Sequence, residues 1–457
     1  MKLELLASSK SKLLLSGSTI QIDPTFPYYL NRSEESIAEE LDWAGYRCVR
    51  YFVTNEKKVS GSLIKAFHAR GISVWAMILG NGAYQTEGFP PEWRNWQMKL
   101  LKPTQDGYVR FSPFCRDYVK WKKITLVQML KEHPFDGLEI AEPYMPEWNG
   151  LRSGVYGDLS EHAVTAFRER YGCPIPDFGN RFNRFYYRRN RSLYAKWMQL
   201  RTDAVNEYVN EIFNGVGGIR CEMPSLKVAT WTLAVDAGAK SPSLLREYQG
   251  NDAVSMIGRV KPDLHFLQTH WPDWQKPELP PDYAKQYYLF MEEIRKAHPN
   301  IPLGIQADIG SLEVVRRDRQ WMNRFAKTVS SLGYSTWAAY EYHLGKSMYE
   351  DRPAILTARQ VAEDQIRISF NKRIDERSVS QSEQYRIIKN GAEYPLECRQ
   401  IRVDGNRIFI RAYHLPQEPF LISVMHVKDT PELWFCKGYK ANEAAGPCIT
   451  SVKSCFS

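Results

Sequence analysis

The feature that most constrains this chain is a repeated alternation. A short β-branched or aromatic run is followed by a stretch of helical spacing, eight times over up to about residue 362. Parallel α/β sheets require that alternation, and eight repeats is the number that closes a (β/α)8 barrel. The strand runs are STIQID ending at Asp23, YRCVRYFV, ISVWAMIL, FDGLEIAE, LKVATWTL, DLHFLQTHW, PLGIQAD and YSTWAAYEY. Among the helices, SEESIAEELDWAG carries Ser33 as an N-cap and Gly45 as a stop, and SLIKAFHARG stops at Gly71. The last helix is expected around Ile355–Ala362. At 457 residues the chain exceeds one ordinary core, and it suits a barrel of ~250 to over 400 residues with a small companion domain.

Two long insertions interrupt the repeat, at about 80–114 and 143–192. Their length marks them as functional loops over one face of the barrel. After about residue 363 the texture changes to short alternating strands (IRISF, YRII, IRVDGNRIFIRAY, FLISVMHV) with Asp-Gly and Asn-Gly turns. The expected organisation is therefore a catalytic barrel over 1–362 and a small all-β sandwich over 363–457. The stretch RISFNKRIDERSVSQSEQYRI resembles bacterial Ig-like domains, which implies a bracing module without chemistry of its own.

Composition narrows the function classes. The chain holds 13 Trp, 26 Tyr and 20 Phe, and aromatic faces suit the apolar C–H faces of sugar rings. A net charge of +9 is modest for this length. The one concentrated basic run, Arg181–Arg191, interleaves Arg with Phe and Tyr but lies in no nucleic-acid-binding motif, and reads as a solvated part of the second insertion. No apolar run approaches the ~18 residues of a membrane span, and MKLELLASSKSKLLLSG lacks the apolar core of a signal peptide. The expectation is a cytoplasmic protein, or a secreted one if a leader was removed upstream. The cysteines show no CxxC or zinc spacing; Cys448 and Cys455 are near enough in sequence to pair. No HxH, HExxH, GxGxxG or P-loop occurs, so neither a metal nor a nucleotide cofactor is expected.

In such barrels the reactive groups sit at the C-terminal ends of the strands. Strand four ends in Glu139-Ile140-Ala141-Glu142-Pro143-Tyr144, with Glu139 pointing inward and Glu142 at the mouth. Strand seven turns Gln306 and Asp308 inward. Strand eight places Trp337, Ala339 and Glu341 on one face, and strand one does the same for Gln21 and Asp23, with Phe26, Tyr28 and Tyr29 beyond. Converging carboxyls beside aromatic rings are what glycosidic hydrolysis needs: one protonated acid for the leaving oxygen, one carboxylate to attack the anomeric carbon or activate water. Arg50 is a partner for Glu139. Asn81, Trp231, His270 and Trp271 complete the substrate-contact candidates, with Trp337 and Trp271 as walls for sugar rings.

EIAEPY resembles the strand-four Asn-Glu-Pro signature of clan-A glycoside hydrolases, whose acid/base glutamate lies on strand four and nucleophile on strand seven. The resemblance implies Glu142 as acid/base, Asp308 as nucleophile with Glu341 as its substitute, and a retaining mechanism. Ala141 replaces the family's Asn, and Asp308 stands where the family has Glu. DGLEIAE is also similar, less closely, to the DGxDxDxE strand of chitinase-type barrels. The reading is thus a glycoside hydrolase acting on an oligo- or polysaccharide, monomeric or homo-oligomeric. Two alternatives stay open: a non-catalytic carbohydrate-binding barrel, and a lyase or sugar isomerase on the same fold.

Overall fold

The computed structural model describes residues 17–453. The N-terminal leader question and Cys455 lie outside those residues. The strands close a parallel barrel, each paired with its neighbours in chain order: β1 Gly17–Ile22, β2 Cys48–Val53, β3 Ser73–Leu79, β4 Gly137–Ala141, β5 Lys227–Ala234, β6 Leu264–Thr269, β7 Leu303–Asp308 and β8 Thr336–Tyr340. The closing pair aligns Gly17 with Thr336 and Ile20 with Ala339. All eight strands coincide with the runs read from the sequence.

Side-chain alternation divides the strands into two faces. Leu138, Ile140, Ile305 and Ala307 face the helices and join the large core between barrel and helix ring. Trp75, Met77, Ala141, Ala229, Trp231, Phe266 and Ala338 fill the barrel interior. The helix ring includes α1 Glu34–Trp43, α2 Gly61–Ala69, α3 Arg116–Glu132, α5 Arg191–Asn214, α7 Ala253–Val260, α8 Tyr288–Ala297 and α9 Arg319–Ser331. Ser33 caps α1, accepting from Ser36 N, and Asp318 caps α9 in the same way from Trp321 N. Helix α4, Glu161–Tyr171, lies inside the second insertion, and α6, Ser241–Gln249, precedes α7. The first insertion carries a two-stranded ribbon, Gly82–Ala83 against Val109–Arg110. The Arg181–Arg191 run forms exposed turns leading into α5, with Arg181, Arg184 and Arg188 each lying over the ring of an adjacent Phe or Tyr.

One element differs from expectation. Ile355–Ala362 is a strand (β9), not a helix, and it pairs antiparallel with β10, Gln365–Phe370. Glu363-Asp364 makes a tight connection between them, and the run is also paired on its other edge with Cys448–Lys453, so its backbone groups are satisfied by the sheet. The β sheet therefore starts at Ile355, ahead of the expected change at 363. It continues through β11 Tyr385–Lys389, β12 Ala392–Pro395, β13 Cys398–Asp404, β14 Arg407–Ala412, β15 Leu421–Val424 and β16 Cys448–Lys453, in the order β12-β11-β15-β16-β9-β10-β14-β13. These strands bury a core of their own around Ile366, Ile368, Phe370, Tyr385, Ile408 and Ile422. The molecule is a TIM barrel followed by a β domain. Among the described residues no two cysteines are paired, and no helix is long and apolar enough to cross a membrane.

Candidate active site

Glu142 follows the last residue of β4. Strict alternation would turn its side chain outward, because Glu139 and Ala141 occupy the inner face. Its backbone instead adopts φ 56°, a left-handed conformation that costs a non-glycine residue roughly 1–3 kcal/mol. That reversal swings the carboxyl over the mouth, where Oε1 accepts a hydrogen bond of 2.9 Å from the Gln268 amide at the end of β6.

Neighbouring groups hold the reversal in place. The side chain of Asn81 accepts from Tyr144 N at 3.1 Å and donates to Tyr144 O at 3.1 Å, so both backbone groups two residues beyond Glu142 are clamped. The same amide also donates to Phe111 O at 3.2 Å, tying the first insertion to the second. Gly80 has no room for a side chain: a Cβ there would lie 2.8 Å from Pro143 Cα. Burial raises the Glu142 pKa above the usual carboxylate range, against the Gln268 hydrogen bond and the positive charge of Arg110, which lower it. Arg110 is itself held by Asp106 at 2.6 Å and lies 5.0 Å above the Tyr108 ring. Tyr84, stacked at a tilt 4.8 Å from Tyr108, is 62% exposed at this rim.

Asp308 ends β7 and is half-buried. Its Oδ1 accepts from Gly310 N and Ser311 N, both at 2.9 Å, and the Ser311 hydroxyl donates to Oδ2. It thus organises its own turn rather than capping a helix. Burial raises its pKa, while the Ser311 and Gly310 donors and the charge of Arg317 oppose that rise. Glu341, beyond β8, is only 1% exposed and is fully engaged: it accepts from Tyr29 Oη at 2.8 Å and from Asp23 N, and lies 3.2 Å from His343 Nδ1. Asp23 is buried beside it; burial raises its pKa, a Thr25 hydrogen bond lowers it, and the Glu341 charge adds to the rise.

Tyr340 links these acids. It is the inward residue at the exit of β8, and its phenol pKa is driven well up by burial and then by the charges of Asp308, Glu341, Tyr84 and Glu142. Its hydroxyl therefore stays protonated amid the carboxyls. Sequence reading missed Tyr340 and Gln268, although the alternation that set Phe266 inward would have given Gln268. Gln306 donates to the buried Gln21 side chain at 3.1 Å. His270 is buried, with a pKa that burial depresses to about 3, and packs edge-on to Trp148 and Trp271.

Several expected substrate contacts are elsewhere. Trp337 is on the outer face, edge-on to Phe325 of α9 at 5.5 Å, because the inner positions of β8 are Ala338 and Tyr340. Tyr28 is 1% exposed and its hydroxyl donates to Glu40 of α1 at 2.6 Å, away from the mouth. Trp231, Arg50 and Glu139 are all completely buried inside the barrel; Arg50 pairs with Glu139, and Trp231 Nε1 donates to Glu139 at 3.2 Å. Substrate cannot reach them. Among the described residues no three His, Cys, Asp or Glu side chains are grouped to hold a metal.

The barrel is similar to the glycoside hydrolase domain of PgaB (BpsB) from Bordetella bronchiseptica: TM-score 0.53, 14% identity, 71% of this chain and 93% of that domain. The two share a fold. Lower-scoring likenesses reach a β-galactosidase from Rahnella sp. R3 (TM-score 0.49, 12% identity, 71% of this chain and 50% of that one). They also reach an endo-β-1,4-mannanase from Thermotoga petrophila (TM-score 0.42, 10% identity, 97% and 98%). No protein-family model and no curated protein matches the chain.

Proposed function

We propose that this chain is a glycoside hydrolase of retaining, clan-A-like type, with Glu142 as acid/base and Asp308 as nucleophile. The observation that carries the reading is the contrast between two half-buried carboxyls at the exits of β4 and β7. Burial raises the Glu142 pKa and so favours its protonated form, with one side-chain hydrogen bond, from Gln268, and the charge of Arg110 opposing the rise. Burial raises the Asp308 pKa as well, but three donors aimed at its oxygens and the charge of Arg317 work for the anion there, against a single hydrogen-bond donor at Glu142. Glu142 would give its proton to the glycosidic oxygen as the bond to the anomeric carbon breaks, while Asp308 attacks that carbon to form a glycosyl ester. Water, losing a proton to the Glu142 carboxylate, would then release the sugar with its configuration retained. Glu341 is the weaker nucleophile candidate, since Tyr29, His343 and the Asp23 amide already enclose it. The fold shared with a glycoside hydrolase domain supports the same class, and the C-terminal β domain is read as an Ig-like brace.

Assays on a panel of aryl glycosides and oligosaccharides should show turnover that Glu142→Gln lowers by about 10²–10⁴-fold. Because the acid must be protonated, the rate should fall as pH rises through the elevated Glu142 pKa, and the variant should lose that basic limb. Hydrolysis unchanged in Glu142→Gln would end the assignment; an inverted first-formed anomer by NMR would end the retaining part.

One observation favours a second reading. Both Asp308 oxygens are already bonded within its own turn, as suits a saccharide-binding barrel without catalysis. That reading predicts calorimetric binding with no product after long incubation.

A further inference from the structure

The β sheet turns one face to its own core and the other outward, and the outward face is basic. Ala358, Ile366, Ile408 and Val452 point into the core. Their chain neighbours Arg359, Arg367, Phe409 and Lys453 therefore point away from it. Strand pairing puts these residues in line. Arg359 of β9 is level with Lys453 of β16 on one side and with Arg367 of β10 on the other. Arg367 is level with Phe409 of β14, and Phe409 with Arg402 of β13. Four cations thus stand in one row across five adjacent strands, a line of about 19 Å at the usual strand spacing. Arg411 stands in the next row, between Gln365 and Gln400.

Like charges directly opposite one another on neighbouring strands destabilise a sheet, so Lys453, Arg359 and Arg367 in line call for a counter-charge. The chain supplies little of it. Asp404 is the sole acid on these five strands, and it is engaged by Arg407 at 2.6 Å and by Ser33 of the barrel. Arg367 has Glu39 of α1 at 3.7 Å, but Glu39 sits nearer Arg70, at 2.7 Å. Burial draws the Arg367 pKa down; Glu39 resists, and the charges of Arg407, Arg359 and Arg70 add to the fall. Arg359, Arg402, Arg411 and Lys453 are exposed, and among the described residues none of them pairs with a carboxylate. An arrangement that costs stability and is left unbalanced inside the chain suits an opposite charge brought from outside.

We infer that this face of the β domain is a docking surface for an acidic polysaccharide, a chain of carboxylate-bearing sugars laid across the strands from Lys453 to Arg402. Charge complementarity names the occupant. Guanidinium forks take carboxylates with two parallel hydrogen bonds, and a linear polyanion meets several cations of the row at once. Phe409, the aromatic of the row, has Arg402 at 4.6 Å and Arg407 at 5.6 Å from its ring centre. A nucleic acid therefore finds no open ring on which to stack its bases. The row lies on the β domain beside α1, away from the barrel mouth, so it holds the polymer and takes no part in bond cleavage. The inference rests on the glycoside hydrolase reading and narrows its substrate to polysaccharides built of uronic acids.

The test uses the full chain in affinity electrophoresis through polygalacturonate or polymannuronate, with neutral galactan and mannan as counterparts. The uronate chains should retard the protein at low salt and release it at high salt, and the neutral chains should not retard it. Arg359→Gln with Arg402→Gln should weaken binding of the uronate chains by about 3- to 10-fold, as loss of two exposed ion pairs implies. Because like charges are removed, that variant should melt no lower than the parent. Arg324→Gln with Lys327→Gln, which takes the same charge from exposed positions of α9, should bind as the parent does. Retardation unchanged in the Arg359/Arg402 variant, or equally lost in the α9 variant, would overturn the docking surface and leave the hydrolase reading standing. Tighter binding of oligothymidylate than of either uronate chain at equal salt would overturn it as well. Uronate binding that depends on the row, with no glycoside cleaved, would uphold the docking surface and defeat the hydrolase reading.

Discussion

A catalytic carboxyl has to be aimed as well as present, and at Glu142 the aiming is done by a backbone reversal that Asn81 secures. Asn81 was expected to touch substrate; its amide is instead spent on Tyr144 and Phe111, which makes it a positioning residue. Asn81→Ala leaves the Tyr144 backbone groups without their side-chain partner, at a cost of about 1–3 kcal/mol in stability. It also frees Glu142 to relax from φ 56°. Displacements of about 1 Å can cost 10²-fold in rate, so kcat should fall by roughly 10–100-fold with KM little changed. Steady-state kinetics beside a thermal melt checks this; a drop in Tm with kcat intact would limit Asn81 to stability.

Among the elements, β2 and β4 are tied through the barrel interior by Arg50 and Glu139, both fully buried. Arg50 also stacks over Phe266 at 4.3 Å and donates to Thr19 at 3.0 Å. Burial pushes the Glu139 carboxyl up to about 7, with Arg50 and Trp231 pulling it back. Removing one partner strands the other charge in the interior, so Arg50→Met should cost about 3–5 kcal/mol by denaturant unfolding. Replacing both, as Arg50→Met with Glu139→Leu, should recover most of that loss. A double variant no more stable than the single one would show that the pair contributes by more than its mutual charge.

For the molecule as a whole, acid should be more damaging than the carboxylates alone would make it. His265 and His270 are buried, and burial lowers both to about 3. The unfolded chain takes up those protons near pH 6.5. Between these limits the unfolded state binds more protons, so stability is lost as pH falls, by at most about 1.4 kcal/mol per pH unit for each histidine. Melting temperatures measured from pH 7 to 4 should decline steeply, and less steeply in His265→Gln, where Thr230 and Thr232 keep a polar partner. An unchanged slope in that variant would assign the acid loss to other groups. The two domains should melt together, because Lys372 of the β domain is buried between Met348 O at 3.0 Å, Asp351 O at 2.6 Å and Asp429 at 2.9 Å.

The eight strands, their order and the exits that carry Glu142, Asp308 and Asp23 were legible from sequence alone. The period-2 and 3.6-residue patterns are local, and eight such units have one common way to bury their apolar faces. The patterns also gave the inward set of β7 correctly, since Gln306 and Asp308 follow strict alternation. Alternation did not settle how the residues beyond a strand's end are aimed. Glu142 reverses there through a left-handed residue. Glu341 turns into an enclosure of Tyr29, His343 and Asp23, leaving Tyr340 as the inward group. Trp337 is on the helix side because β8 turns Ala338 and Tyr340 inward, a choice of face that spacing alone leaves open, and Tyr28 bonds Glu40 of α1. Likewise Ile355–Ala362 became a strand because its neighbour Gln365–Phe370 offered an unpaired edge. Periodicity is a property of the chain's own spacing, so the sequence carries the barrel; which groups face the mouth depends on contacts between residues far apart in the chain, and those only the tertiary structure decided.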